Sequence, residues 1–275
     1  DSSLFTKGTG HSLVILLVYV DDIIVASPSE DLVTSTKVML ENHFKLKILG
    51  DLRYFLGLEI AKSEKGIHLC QRKYALQLLN DTGFTAAKPA SIPMDPGNVL
   101  NDRDGELLTD VTEYRRLVGR LNYLTISWPD IAYSVNKLSQ FVSKPRLPHL
   151  QALHHLLRYI KATAGQGIFF PAVPNLKVSS YVDADWGSCS DSRKSTTGFC
   201  VYLGHALISW KSKKQVTVAR SSAEAEYRAL ATLTSELLWV KQLLRAFEIP
   251  TDGIMGTCTI QVSQAYPCSI TRSAG

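Results

Sequence analysis

The sequence contains few of the features that define several common protein classes. Its five cysteines are odd in number and widely scattered, and no two of them form a Cys-X-X-Cys pair. Neither a disulfide framework nor a zinc site is supported, and we expect reduced thiols in an intracellular protein. The longest uninterrupted apolar run, residues 13–20, is far shorter than the roughly 20 residues that a membrane-spanning helix needs. Phosphate-binding motifs of the Gly-X-X-X-X-Gly-Lys and Gly-X-Gly-X-X-Gly types are also absent.

The sequence begins with Asp1 rather than Met and has no basic segment followed by an apolar leader. We therefore expect neither a signal peptide nor a natural start, and we interpret the chain as a piece of a longer protein. Its 275 residues, 45% of them hydrophobic, are enough for one large domain or two ordinary ones. The net charge of +5 suits an anionic partner such as nucleic acid, although many proteins without such a partner carry as much.

Hydrophobic patterning predicts a mixed α+β or α/β chain whose first part contains short strands and two helices. In this part we predict a hairpin of residues 13–20 and 23–26, followed by a helix that Ser29 caps and a strand at Phe44, Leu46 and Ile48. Further strands are predicted at 54–60 and 67–69, and a second helix at 72–80. Residues 85–110 are rich in Pro, Gly, Asn and Asp, which is typical of a connecting loop between two packed regions.

The second part of the chain begins with three predicted helices and continues with a β-β-β-α pattern. The helices span residues 111–125, 129–142 and 149–163; the strands span 177–183, 197–203 and 206–211, and a long helix spans about 222–247. The apolar stripe expected on that long helix consists of Tyr227, Leu230, Leu237, Leu238, Leu244 and Phe247.

Two adjacent acids, Asp21 and Asp22, lie inside the most apolar stretch of the sequence. Like charges beside buried strands repel each other and lose hydration, so burial would drive at least one of them to protonation unless a cation were shared. One interpretation is an ordinary turn, where Asp is favoured. The other is a hairpin tip that holds Mg²⁺, which takes one or two protein carboxylates and completes its shell with water and substrate phosphate. The residues alone leave both interpretations open.

A second set of acids lies in the β-β-β-α region. Asp183 stands near the end of a predicted strand and Glu226 one turn into the long helix, so packing of that helix across the sheet would bring the two together. The alternative is that Glu224 and Glu226 are ordinary acids of a helix N-terminus, where the macrodipole favours them. Asp185 and Asp191 are interpreted as solvated loop carboxylates.

Several other side chains have both a functional and an ordinary interpretation. Trp186 and Trp210 are expected in the core rather than on a binding platform. His149, His154 and His155 lie on one helical pattern, where adjacent residues point about 100° apart, so we expect surface or interface histidines rather than metal ligands. Basic residues that could meet phosphates, or simply form a solvated face, are Arg193, Lys194, Lys211, Lys213 and Lys214.

Several sequence motifs resemble those of a known family. "YVDDIIVA" followed by "FKLKILGDLRYFLGLEI" resembles the palm of reverse transcriptases from copia-type long-terminal-repeat retrotransposons. "YVDADWGSCSDSRKSTTGFCVYLG", "ISWKSKKQ" and "SSAEAEYRAL" are similar to the ribonuclease H domain of the same polyprotein. The resemblance implies a partial palm at residues 1–84, a connecting loop at 85–110, thumb-like or connection helices at 111–165, and a ribonuclease H-like domain at 166–275 that is truncated and degenerate at its C-terminus.

The same resemblance implies roles for individual residues and partners. Asp21 would bind both catalytic metals, Asp22 would have a lesser role in coordination, and Asp183 and Glu226 would be the first two acids of the ribonuclease H site. The implied cofactor is Mg²⁺ or Mn²⁺, with two ions in each complete site. The implied partners are RNA–DNA hybrid, primer–template and deoxynucleoside triphosphates, and the polymerase fingers would come from the upstream part of the polyprotein. No membrane association is implied. A cytoplasmic particle and the nucleus are the implied locations. The primer grip would comprise Tyr54, Phe55, Leu56, Gly57 and Leu58, and further nucleic-acid contacts would come from Arg193, Lys194, Lys213 and Lys214.

Both family sites need more acids than this sequence supplies. The polymerase mechanism uses an acid from an earlier strand, and the only acid before Asp21 is Asp1. The ribonuclease H site normally uses four acids, and the sequence has no Asp or Glu after Asp252, where the family usually has Cys-Asp-Asn. Our hypothesis is that this terminal segment has lost the family's reading frame. We therefore expect an enzyme fragment that is inactive alone, or a non-catalytic remnant that at most binds nucleic acid weakly.

Overall fold

The computed structural model describes residues 3–97, 99–173, 175–249 and 258–260. Its strands are β1 (Leu4–Lys7), β2 (Val14–Tyr19), β3 (Asp22–Ala26), β4 (Tyr54–Phe55), β5 (Leu58–Ser63), β6 (Gly66–Cys70), β7 (Gly167–Pro171), β8 (Val178–Asp185), β9 (Thr196–Leu203), β10 (Ala206–Lys214) and β11 (Cys258–Ile260). Its α-helices are α1 (Glu30–His43), α2 (Arg72–Asp81), α3 (Thr112–Leu124), α4 (Ala132–Ser139), α5 (Leu147–Ala162) and α6 (Ser222–Ala246). None of the helices in these ranges has the length and apolar character that crossing a bilayer requires.

The strands form three sheets within the described residues, so the chain is of mixed α and β class. The first sheet has the order β1-β2-β3 and the second has the order β4-β5-β6-β7. The third has the order β10-β9-β8-β11. All neighbouring strands are antiparallel except β11, which pairs with β8 in parallel.

The first sheet and α1 have little core of their own. Leu13 and Val14 are the buried apolar residues of this region in the structure, and α1 buries none of its residues. The strand predicted at Phe44, Leu46 and Ile48 is wrong: the segment has no regular structure, and all three side chains are exposed. Period-two alternation produces a strand only where a neighbouring backbone edge can pair with it, and no described strand pairs there.

The largest core lies among α2, α3, α4 and α5. Leu78 from α2, Leu121 from α3 and Leu156 from α5 are fully buried in it, as is Trp128. Leu100, from the segment predicted as a connecting loop, is buried in the same cluster. The core therefore contains residues from both sides of that loop.

The second sheet also joins segments that are distant in sequence. β7, which follows the helices, pairs antiparallel with β6 over the register Cys70↔Gly167 to Gly66↔Pro171. This pairing was not predicted, because nothing in a five-residue apolar strand indicates a partner about 100 residues earlier. The packing thus crosses the boundaries placed at 84/85 and 165/166 by the family resemblance, and the division into domains stays a prediction.

The third sheet packs against α6, and the order of three antiparallel strands followed by a long helix is as predicted. Val182 and Val201 are buried against Ala229 and Leu233 of α6. The predicted apolar stripe is wrong in part: Tyr227 is 73% exposed and Leu238 59% exposed, whereas Leu244 is buried and Leu230 and Leu237 pack against the same core. Ala225, Ala229, Leu233 and Val240 complete the buried line, and the alanines allow the helix to approach the sheet closely.

Both tryptophans of the third sheet region differ from simple core residues. Trp186 is 58% exposed, which contradicts the expected core position, and its indole N–H donates to the carbonyl of Ala219 at 3.1 Å. Trp210 is half-buried and its indole N–H donates to the carbonyl of Thr125 at 3.1 Å. The latter bond links the third sheet to the end of α3.

Candidate functional site

Asp21 and Asp22 lie at the tip of the β2–β3 hairpin, as predicted. Tyr19 pairs with Asp22, so Val20 and Asp21 form the turn, and Val20 has a φ of 50°. This left-handed conformation is unusual for a β-branched residue. Both carboxylates are exposed, so the burial expected from the flanking apolar run is absent and water hydrates both charges. Their proximity therefore does not require a cation, and the turn and metal interpretations both stay open.

The segment that resembles a primer grip is a second hairpin. β4 and β5 pair at Tyr54↔Glu59 and Phe55↔Leu58, which leaves Leu56 and Gly57 as the two turn residues. Their φ values, 49° and 72°, are both positive, as the tight hairpin turns that match strand twist require. Tyr54 is well exposed at the base of this turn. The structure thus presents the five residues as one compact tip.

A cleft of about 930 Å³ opens beside this hairpin and was not anticipated from the sequence. Cationic groups outnumber anionic ones along it, and the carboxylate of Glu59 is already engaged by the backbone N–H of Lys73. No local pattern could have revealed it, because its walls come from residues 51–76 and from 164–165. Its charged lining residues and its histidine are Asp51, Arg53, Glu59, Lys62, Arg72 and His68.

Asp183 lies on β8, opposite Gly198 of β9, and is half-buried. The preceding residue, Val182, is buried against α6. Because side chains alternate along a strand, Asp183 and Asp185 lie on the sheet face that α6 does not cover. On this face α4 contributes Tyr133, and Asp183 is half-buried.

Asp185 is not the solvated loop carboxylate that the sequence suggested. It ends β8, and its carboxylate accepts the backbone N–H of Thr196 on β9. The side chain of Tyr133 on α4 faces it, and burial together with the negative charge of Asp185 raises the pKa of Tyr133. Asp191 is likewise partnered, since its Oδ1 accepts the N–H of Asp102 at 3.2 Å. Both acids therefore have structural partners.

Glu226 lies near the N-terminus of α6 between the buried residues Ala225 and Ala229 and is itself half-buried. Its neighbour Glu224 has a different environment: its pKa is lowered, first by the backbone N–H of Arg220 and then by Arg228, with which it forms an ion pair of 2.6 Å. The helix-terminus interpretation therefore fits Glu224. β8 and α6 pack together, and a metal ion shared by Asp183 and Glu226 stays a prediction.

Three of the predicted basic residues lie around Cys189, whose role the sequence did not indicate. The backbone N–H of Cys189 donates to the carbonyl of Lys194, and the N–H of Arg193 donates to the carbonyl of Cys189. Lys214 Nζ lies 3.7 Å from Cys189 Sγ. Burial raises the pKa of the Cys189 thiol, whereas hydrogen bonds from Ser192 and the backbone and the charge of Lys214 lower it. The lowering effects together are larger, so the pKa of Cys189 lies below its usual value. The structure thus brings Arg193, Lys194 and Lys214 together, whereas Lys213, the residue before Lys214 on β10, is exposed and points to the other face of the sheet.

The structure adds no complete metal site to these acids. Within residues 3–249, apart from the undescribed 98 and 174, no group of three or more His, Cys, Asp or Glu side chains is arranged to hold a metal ion. His149 is fully buried between backbone partners of its own chain, which corrects the expected surface or interface position. The hypothesis of a lost reading frame concerns residues after 252, and all of these except the backbone of β11 lie outside the described residues.

Comparison with known proteins identifies the family. Residues 1–96 match the model of the reverse transcriptase (RNA-dependent DNA polymerase) family. The chain is 47% identical to the retrovirus-related Pol polyprotein from transposon RE1 of Arabidopsis thaliana over 89% of this chain, and 45% identical to that from transposon RE2 over 98% of this chain. It covers only 17% and 18% of those two polyproteins.

A shorter relative matches over almost its whole length. An uncharacterized mitochondrial protein of Arabidopsis thaliana is 42% identical over 82% of this chain and 93% of that protein. The motifs "YVDDIIVA" and "SSAEAEYRAL", the reverse transcriptase model and these relatives agree with one another. The chain therefore belongs to the copia-type retrotransposon Pol polyprotein family and contains a reverse transcriptase-like segment of it.

Proposed function

We propose that this chain is a reverse transcriptase and ribonuclease H segment that binds primer–template and RNA–DNA hybrid and is catalytically inactive on its own. The observation that carries the ribonuclease H part is the third sheet. Three antiparallel strands are followed by a helix packed over β8, and β11 adds in parallel to the free edge of β8. Asp183 and Glu226 lie on the two elements, β8 and α6, that pack at the centre of this arrangement.

The polymerase part of the proposal rests on the two hairpins. Asp21 and Asp22 are the predicted catalytic acids, and residues 54–58 are the predicted primer grip. The cleft beside that grip carries Arg53, Lys62 and Arg72, whose charges suit the phosphates of a nucleic-acid backbone. The basic residues Arg193, Lys194, Lys213 and Lys214 would supply further phosphate contacts near the ribonuclease H-like acids. Residues 1–84, 111–165 and 166–275 would correspond to palm, connecting helices and ribonuclease H-like unit.

The carboxylates present suit a divalent ion, although neither set is complete within the described residues. Asp21 and Asp22 are exposed and offer the hard oxygen ligands that Mg²⁺ prefers. Asp183 is half-buried, and Asp185 already accepts a backbone hydrogen bond. Bound Mg²⁺ or Mn²⁺ would lower the pKa of an attacking hydroxyl or water and neutralise phosphate charge. Asp21 and Asp183 would be the principal ligands, with Asp22 and Glu226 as their neighbours.

The proposal of inactivity follows from ligand number. Two-metal phosphoryl chemistry depends on several carboxylates acting as a unit, and loss of one member disables such sites. In the described part of this chain each site has two predicted acids. In this proposal, binding of deoxynucleoside triphosphates and the polymerase fingers belong to the intact polyprotein. The same holds for the two locations, a cytoplasmic particle and the nucleus.

The test is a binding and cleavage assay on the purified full chain. Fluorescently labelled RNA–DNA hybrid, with Mg²⁺ or Mn²⁺, is expected to bind in a salt-sensitive manner and to remain uncut. Asp183→Asn is the matched control, because it removes one charge and preserves the size of the side chain. Cleavage by the wild-type chain that Asp183→Asn abolishes would overturn the inactivity. Equal, negligible affinity for hybrid and for a polyanion such as heparin would instead identify a remnant without nucleic-acid function.

A further inference from the structure

The β4–β5 turn contacts a helix that is far away in sequence. The hydroxyl of Tyr123, near the C-terminus of α3, donates a hydrogen bond to the carbonyl oxygen of Leu56. A Cβ atom added to Gly57 would overlap the same hydroxyl. One tyrosine therefore touches both residues of the turn, and α3 reaches the tip of the hairpin that resembles a primer grip.

The turn needs such a support because its backbone is strained. Leu56 has a φ of 49°, a region that residues with a Cβ rarely enter, and Gly57 follows with a φ of 72°. A non-glycine residue persists in this conformation where its surroundings over-determine it. In the short β4 strand only two residues pair with β5, so the ladder alone provides little restraint. The hydrogen bond from Tyr123 supplies the missing restraint.

The tyrosine itself is held by a chain of contacts on α2 and α3. Its ring meets the ring of Tyr74 edge-on, with centroids 4.8 Å apart and an interplanar angle of 76°. The guanidinium of Arg120 lies 5.4 Å from the Tyr74 centroid and forms a 2.8 Å ion pair with Asp81. These contacts fix the direction of the Tyr123 hydroxyl, because each partner is anchored on a helix of the large core.

We propose that Tyr123 is a positioning residue that holds the Leu56–Gly57 turn in the conformation that receives the recessed 3′ end of a primer. The inference rests on the proposed function, since it assigns the turn to primer contact. Tyr123 touches no reacting atom; it acts through the backbone of Leu56. Movement of α3 would in this way be transmitted directly to the primer-contacting tip.

The hold on the turn is tested by amide hydrogen exchange on the full chain. Tyr123→Phe removes the hydroxyl and keeps the ring, and we expect exchange of the amides of residues 56–58 to accelerate by roughly tenfold, as for the loss of one hydrogen bond. Tyr74→Phe is the matched control, because it removes a hydroxyl from the adjacent ring and keeps the edge-on contact. Unchanged exchange in Tyr123→Phe, or equal acceleration in both variants, overturns the proposal.

A double-mutant cycle separates a direct contact from general loosening. Gly57→Ala is expected to push Tyr123 away and to accelerate the same amides. The double variant should then exchange these amides more slowly than the product of the two single-variant accelerations, because both substitutions disrupt the same contact. Fully multiplicative effects would show that the two residues act independently and would contradict the proposed hold.

Primer contact is tested by fluorescence anisotropy with a labelled primer–template that has a recessed 3′ end and with a blunt duplex of equal length. The wild-type chain is expected to prefer the recessed end, and Tyr123→Phe to lose about three- to tenfold of that preference while Tyr74→Phe retains it. If Tyr123→Phe weakened binding to both duplexes equally, the role of Tyr123 would be purely structural and the link to the primer would be overturned. If the wild-type chain shows no preference, the proposed function fails, and the exchange data still decide whether Tyr123 holds the turn.

Discussion

His149 has no exposed surface, and both of its ring nitrogens meet backbone groups. Nδ1 accepts the N–H of Arg146 at 2.9 Å, and Nε2 lies 2.9 Å from the carbonyl oxygen of Asn101. Only the neutral ring with its proton on Nε2 satisfies both partners, because a backbone N–H can only donate and a carbonyl can only accept. The ring also stacks on Phe141 with centroids 3.9 Å apart. Protonation would therefore break a buried contact.

We predict that stability falls on acidification because of this residue. Burial lowers the pKa of His149 below its usual 6.5; the charges of Arg146 and Lys137 lower it further, and the Asn101 carbonyl and Asp191 only partly oppose this. The unfolded chain binds the proton more readily, so this contribution is complete above about pH 6.5 and is lost as the pH falls. Urea unfolding at several pH values measures the free energy of unfolding, and this group is expected to change it by at most roughly 1.4 kcal/mol per pH unit.

The control for this prediction is a pair of glutamine variants. His149→Gln should be less stable near neutral pH but should reduce the dependence of the unfolding free energy on acidic pH, and His154→Gln should change that dependence in the same direction. A remaining slope in His149→Gln is expected from His154, because burial lowers its pKa as well. Identical slopes in wild type and His149→Gln would show that this ring does not control the acid stability.

Single residues also show the limit of sequence reasoning. The turn at Asp21 followed from its apolar flanks, since hairpin turns have local signatures. The hydrogen bond from Tyr123 to Leu56 had no such signature, because the two residues are 67 positions apart and the contact depends on how α3 packs. The exposure of Trp186 was missed for a similar reason: its polar N–H is satisfied by a loop carbonyl rather than by the core. Long-range partners determine these outcomes.

At the scale of elements, α6 begins with a defined N-cap. The hydroxyl of Ser221 accepts the backbone N–H of Glu224 at 3.2 Å, and the carboxylate of Glu224 accepts the N–H of Arg220. The first bond satisfies one of the backbone donors that the first turn of a helix leaves without partners, and the second ties the residue before the N-cap to that turn. Glu226 lies two residues after Glu224, so the order of this helix start positions one of the predicted acids.

We predict that Ser221→Ala lowers the free energy of unfolding by about 1 kcal/mol, the usual cost of losing an N-cap. Ser222→Ala is the matched control, because Ser222 is the first residue inside the helix and does not provide the cap bond. Chemical denaturation of both variants measures the difference. Equal stability of Ser221→Ala and wild type would show that the Ser221 hydroxyl does not stabilise this helix start.

Most helices and strands could be predicted because their patterns are local. Residues 222–247 were recognised as a helix from composition and length, and α6 spans Ser222–Ala246. Its buried face was predicted in part: Leu230, Leu237 and Leu244 pack in the core, but a sheet also selects small residues such as Ala225 and Ala229 that a search for large apolar side chains overlooks. The false strand at Phe44 and the unpredicted β7 have one cause: a strand exists only with its pairing partner, which the local pattern does not contain.

At the scale of the whole molecule, the connection between α2 and α3 is a well-anchored part of the fold. The N–H of Ala90 donates to the carbonyl of Arg158, and Lys161 Nζ donates to the carbonyl of Ala87 at 2.6 Å. Arg146 donates to the carbonyls of Asp102 and Gly105 at 2.8 and 2.7 Å. The composition of residues 85–110 indicates a loop, but only the folded chain shows that it is bonded to α5 and to the residue preceding it.

We predict that limited proteolysis will distinguish this packing from the domain boundaries suggested by the family resemblance. The segment between α1 and β4, residues 44–53, is exposed and belongs to no sheet in the structure, so a protease of broad specificity such as subtilisin should cut there first. The large product should begin within this segment and extend beyond Pro171, because β7 pairs with β6. Mass spectrometry of early digests gives both ends of that product.

The anchoring of the α2–α3 connection provides the contrasting outcome. Arg146→Ala removes the bonds to Asp102 and Gly105 and should make residues 99–106 susceptible to early cleavage. Arg103→Ala should not, because Arg103 is exposed and its ion pair with Asp102, at 3.6 Å, contributes little at the surface. Early wild-type fragments that end between residues 85 and 110 would favour separate units on either side of the loop. Their absence, with cleavage confined to 44–53, would mean that the palm-like hairpins β4–β6 and the helices α3–α5 unfold as one cooperative unit.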